Sequence, residues 1–213
     1  MNHNESDHGP EDRNPPAMKT GWLLVCLAVL ASAWGLTELI GGETVVLTAV
    51  GLLLLAVART LVNRPGSSTA IAAVAVLFKS VNTAPFMCHL AGIMLLGVAF
   101  DIAATLLWRE DRKPFLRAAL TGVLASYLSC FLFASSMVWV FKFRSWPEGG
   151  LAGVGEYTLS SGSRGALTAL VVVPLGLWFG RLLVRQAVGH PRIALRAAVV
   201  TCLALWVLGP FAG

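Results

Sequence analysis

The chain has 213 residues, 56% of them hydrophobic and 13% charged, with a net charge of +5. Soluble domains carry roughly 25% charged residues, and the mean hydropathy here is +0.74, so a soluble globular domain is excluded and an integral membrane protein is expected. The basic residues flank apolar stretches, which reads as orientation signal and anionic-lipid contact and not as nucleic-acid binding.

Residues 1–19 are polar, proline-bearing and mixed in charge, and are expected to form a disordered tail ahead of a single transmembrane helical domain over 20–213. His3 stands at the third position, where an imidazole can join the amine and two amides around Cu(II) or Ni(II), a weak metal candidate. Lys19, the apolar run after it and Ala31-Ser32-Ala33 imitate a signal peptide with its cleavage site. The long polar lead and the continuation of the run to Ile40 favour a retained first span instead.

A membrane helix needs about 20 mostly apolar residues. Stretches of that kind fall at 20–40, 44–63, 68–84, 86–108, 115–141, 165–184 and 193–211. The third and fourth are separated only by Asn82-Thr83-Ala84-Pro85. As one helix, 68–108 would be about 60 Å long at 1.5 Å per residue, twice the hydrocarbon core, so two crossings joined at the proline are predicted. Charge gives an independent test. With seven spans, the side of the tail collects Arg13, Lys19, Arg59, Arg64, Arg109, Arg112, Lys113, Arg117, Arg181, Arg185, Arg192 and Arg196, twelve in all, against three (Lys142, Arg144, Arg164) on the other side. A six-span count that fuses the third and fourth stretches gives seven against eight. The positive-inside rule selects the asymmetric arrangement. The expectation is an all-α polytopic bundle of seven spans (six being the alternative) with a cytoplasmic amino terminus.

Small residues at four-residue spacing mark helix-packing faces: Ala28/Ser32 and Ala31/Gly35, Ala118/Gly122/Ser126, and Gly176/Gly180. Pro174 is expected to kink the sixth span. The glycine- and serine-rich stretch 145–163 reads as the longest loop, either a lid or an idle linker. The stretch from Arg181 to Arg196 reads as a basic loop on the opposite side, facing lipid phosphate.

Charged side chains at membrane depth cost roughly 2.5–3.5 kcal/mol each and persist where they pair or line a cavity. On the seven-span topology, Glu38, Lys79, Asn82 and His89 come from three spans at one depth, toward the exterior, while Asp101 lies in the inner half of span four. These five residues are the candidate ligand-binding set, with Lys79 pairing Glu38 or meeting the anionic end of a ligand. The broken backbone at 82–85 suits a cavity wall. The competing reading is a structural Lys79–Glu38 ion pair. Cys88 and His89 with Glu38 form a weak candidate set for a soft divalent ion, but neighbours on a helix point about 100° apart. The four cysteines all lie in apolar stretches without a CxxC motif, as buried thiols do.

No GxxxxGK[ST] motif is present, so ATP hydrolysis by this chain alone is not expected, and no cofactor motif is legible. An intramembrane enzyme using Asp101, His89 or Cys88 on lipid or isoprenoid stays open, although nothing pairs a nucleophile with a base at readable spacing.

Trp34-Gly35-x-x-Glu38 with Gly41-Gly42, Arg64-x-Gly66, Phe78-Lys79 and the Cys-His and Asp of span four together resemble the S-component-like membrane proteins of energy-coupling factor transporters. The resemblance covers spans one, three and four. It implies a small helical bundle in the plasma membrane that captures a vitamin or a metal ion from outside. A membrane coupling subunit and cytoplasmic ATPases would be its partners. Such subunits commonly have six spans and an Ala-x-x-x-Ala docking face in span one, where this chain has seven and Ala28/Ser32 with Ala31/Gly35. An uncharacterised membrane scaffold or assembly protein is the alternative function.

Overall fold

The computed structural model describes residues 20–40, 43–82, 86–108, 113–143, 146–189 and 191–212. The tail 1–19, with His3, lies outside them. Among the described residues there are seven α-helices and no strand: α1 (Thr20–Ile40), α2 (Thr44–Leu61), α3 (Ser67–Asn82), α4 (Met87–Leu107), α5 (Pro114–Ser135), α6 (Trp146–Gly189) and α7 (Pro191–Ala212). Each of the seven apolar stretches forms its own helix, and the 68–108 tract is two helices. A π-helical turn, Ser136–Val140, continues α5.

Among the described residues, four helical stretches are long and apolar enough to cross a bilayer: Thr44–Leu61, Met87–Leu107, Pro114–Val140 and Trp146–Gln186. Their outward faces are apolar as well, and so is that of α7. Leu106, Leu167, Val171, Trp178, Leu203 and Val207 are all exposed, an outer surface that suits lipid and would be a liability in water.

The directions of the helices follow from close contacts. Gly51 of α2 lies under the Trp34 ring of α1, and Gly97 of α4 faces Ala72 of α3. Gly122 of α5 faces Ala169 and Val173 of α6. Rising numbers meet falling ones between α3 and α4, where Asp101 reaches Thr69, and between α5 and α6, where Tyr127 meets Gly162, so these pairs are antiparallel. α1 ends at Ile40 just before α2 starts at Thr44, so the Trp34–Gly51 contact makes them antiparallel too. Gly176 and Gly180 of α6 meet Ala56 and Thr60 of α2 in parallel. A Cβ built on Gly97 would overlap the Ala72 Cβ, so only glycine permits that approach. The small-residue pairs that the sequence marks on α5 and α6 are thus spent on packing within the bundle. The core they enclose holds Trp34, Leu52, Leu55, Ile71, Phe78 and Phe100, all fully or almost fully buried.

The structure corrects two loops. Residues 146–163 are helical and belong to α6, with non-helical angles at Gly150 (φ 50°, ψ −143°). Glycine and serine disfavour helix in isolation, but here Gly162 takes the Tyr127 ring of α5 and Gly165 takes Ser126. Tyr127 and Ser163 share a hydrogen bond of 2.9 Å. A second small core of Ala134, Val138 and Val154, with Trp146 and Tyr157 against it, fixes the start of α6 to the end of α5. The basic stretch after Arg181 is also helical: α6 runs to Gly189 and α7 begins at Pro191. Pro174 lies within α6.

Candidate functional site

Two buried ion pairs stand at opposite ends of the α1–α4 core. At one end, Lys79 in the last turn of α3 donates to the Glu38 carboxylate in the last turn of α1, Nζ to Oε2 at 3.1 Å. The same ammonium donates to the Glu38 backbone carbonyl at 3.0 Å. That carbonyl is one of the last four of α1, which have no partner within their own helix. Lys79 therefore caps α1 and neutralises Glu38 in a single geometry. Both side chains are 9% exposed. Gly35 and Phe78 of the same two helices pack beside them. Gly35, one turn before Glu38, lies so close under Phe78 that a Cβ would stand 2.6 Å from the ring, and Phe78 meets Trp206 of α7 edge-on with centroids 5.0 Å apart. Trp206 also donates its indole N–H to Ser32 of α1 at 3.0 Å.

At the other end, Arg59 in the last turn of α2 donates Nη1 to Asp101 Oδ1 of α4 at 3.0 Å. Its fork reaches further, through Nη1 to the Arg64 carbonyl and to Ser67 Oγ at 3.4 Å, and through Nη2 to Thr105 Oγ1 at 3.3 Å. Thr69 of α3 donates to the second Asp101 oxygen at 3.0 Å. One guanidinium thus ties the end of α2, the turn into α3, the start of α3 and the end of α4. Both cations sit at helix C-termini, where the backbone dipole favours positive charge.

Of the five candidate residues, the structure brings Glu38 and Lys79 together. It places Asp101 at the far end with Arg59. His89 is exposed in the first turn of α4, its ring 6.1 Å from that of Phe86. Asn82 ends α3, and its side chain lies outside the described residues, as does the backbone at 83–85. Cys88 is half-buried beside His89, and among the described residues no group of three His, Cys, Asp or Glu side chains gathers to hold a metal.

Sequence reasoning missed Arg59, counting it only as an orientation charge. The signal was present. Arg59 lies inside its apolar stretch, at the depth of the buried carboxylate of Asp101, and a carboxylate there needs a cation. A groove of about 320 Å³ runs beside this second pair, lined by Pro65, Gly66, Thr69, Val98, Asp101, Ile102, Thr105 and Leu106.

No family model, curated protein or solved structure matches the chain.

Proposed function

We propose that this chain is a seven-span plasma-membrane protein with a cytoplasmic amino terminus, the solute-binding subunit of an uptake transporter without its own ATPase. The distribution of twelve basic residues against three supports the orientation. It puts the Glu38–Lys79 pair toward the outside and the Arg59–Asp101 pair toward the cytoplasm.

The observation that carries the reading is the pairing of Lys79 with Glu38 at 3.1 Å, between two of the three helices that bear the residues resembling energy-coupling factor S components. A small solute with a carboxylate competes with Glu38 for the Lys79 ammonium, and His89 stands at the same end of the bundle. Work against the gradient would come from a separate coupling subunit and cytoplasmic ATPases.

The second reading is a membrane scaffold in which the pair only fixes helix register. It is favoured by the closure of both ion pairs and by the capping of α1 by Lys79. Breaking one partner of a buried pair costs about 3–5 kcal/mol, whereas replacing both with neutral groups is often close to neutral. Lys79→Met should therefore lower the melting temperature in detergent, and Glu38→Gln with Lys79→Met should restore most of it. A thermal-shift panel of small carboxylates and water-soluble vitamins then separates the readings. Solute capture predicts at least one compound that stabilises the wild type and does nothing for the well-folded double variant. If every stabilising compound acts equally on both proteins, Lys79 is a fastener and the binding role fails.

A further inference from the structure

The groove beside the second ion pair has a composition that selects its occupant. Its polar edge is already satisfied: Asp101 accepts from Arg59 and Thr69, and Thr105 accepts from Arg59. What remains to touch a ligand is apolar, chiefly Val98, Ile102 and Leu106 of α4 with Pro65 and Gly66 of the preceding turn. Ile102 is 44% exposed and Leu106 61% exposed. The exposed part of this lining is mostly apolar, which suits a hydrocarbon chain better than a polar solute. About 320 Å³ falls at the small end of the range for ligand sites, roughly 300–1,000 Å³, and suits one chain laid between α3 and α4.

Among the described residues, the charges at this end of the bundle are mostly basic. Arg64, exposed, precedes Pro65 in the turn. Lys113 and Arg117 at the start of α5 lie at the same end of the bundle, as does Arg181, whose guanidinium stands 5.6 Å from the Phe115 ring centroid. The one described acidic side chain in this network, Asp101, is neutralised by Arg59. In sequence, the connection 109–112 adds two basic and two acidic residues and leaves the balance unchanged. Basic residues flanking an interhelical groove at a bundle end attract anionic head groups.

We propose that this groove is a binding site for one anionic phospholipid, its acyl chain along Val98, Ile102 and Leu106 and its phosphate beside Arg64. The site is independent of the solute-capture reading and sits at the opposite end of the core. The lipid closes the seam between α3 and α4 over the Arg59–Asp101 pair.

The test uses the full chain in nanodiscs, with phosphatidylglycerol or phosphatidylcholine carrying a photoreactive acyl chain. Phosphatidylglycerol should cross-link to peptides spanning 65–69 and 98–106 in preference to phosphatidylcholine. Ile102→Trp, which fills the groove, should reduce that cross-link severalfold. Arg64→Gln, in an exposed turn whose backbone carbonyl still serves Arg59, should keep the chain contact and erase the preference for the anionic lipid. Cross-links spread evenly over the exposed helix faces would overturn the proposal, as would cross-links unchanged in both variants. A second copy of the chain cross-linked at this groove instead of lipid would do the same.

Discussion

At the residue scale, two cations buried at helix ends hold the α1–α4 core, and they do so unequally. Lys79 serves one neighbouring helix through two acceptors on Glu38. Arg59 serves three segments through a planar fork, which an ammonium cannot reproduce. Arg59→Lys is therefore expected to behave as a disruptive change. It keeps the charge on Asp101 but gives up Thr105 and the turn at Arg64. A loss of about 1–3 kcal/mol is expected, in the range for buried polar groups left without partners. Thr105→Ala, at an exposed position, should cost less than about 1 kcal/mol. Reversible unfolding in mixed detergent measures both, and equal effects of the two substitutions would show that Arg59 acts only as a point charge.

At the scale of elements, glycine has two distinct meanings along this chain, and they lead to opposite expectations. Gly97 touches Ala72, so Gly97→Val must push α4 away from α3 and cost about 1–3 kcal/mol by overpacking. Gly153 is open: a Cβ added there would meet nothing within 4 Å. Gly153→Ala should therefore stabilise α6 by roughly 0.5–1 kcal/mol through helix propensity. Were 145–163 a loop, that second substitution would leave the melting temperature unchanged.

The same contrast explains what the sequence disclosed. Apolar length and flanking charge revealed six of the seven helices to within a few residues, because burial in lipid demands both. The early start of α6 was hidden. Gly149, Gly150, Gly153 and Gly155 read as a loop when the partner that orders the segment is out of view. That partner is Phe133 of α5, whose ring centroid stands 5.9 Å from those of both Trp146 and Tyr157. Close pairing of Lys79 with Glu38 was legible because two opposite charges fell at one depth. Arg59 escaped because a basic residue near a span end already has an explanation in the positive-inside rule.

At the scale of the whole molecule, parallel and antiparallel contacts leave the ends of α1 and α3 together at one end of the core and the ends of α2 and α4 at the other. In the proposed topology, seven crossings convert that alternation into sidedness, with one ion pair per leaflet. The functional proposal depends on that sidedness, because a solute can reach Lys79 from outside only if the α1–α3 end faces out. Single cysteines at Glu43, before α2, and at Arg64, between α2 and α3, test it most directly. They are introduced in a background where Cys26, Cys88, Cys130 and Cys202 are replaced by serine or alanine, and treated with a membrane-impermeant maleimide. The account predicts labelling of Glu43→Cys in intact cells and of Arg64→Cys only after permeabilisation. Labelling of both positions from the same side, or the reverse order, would contradict it.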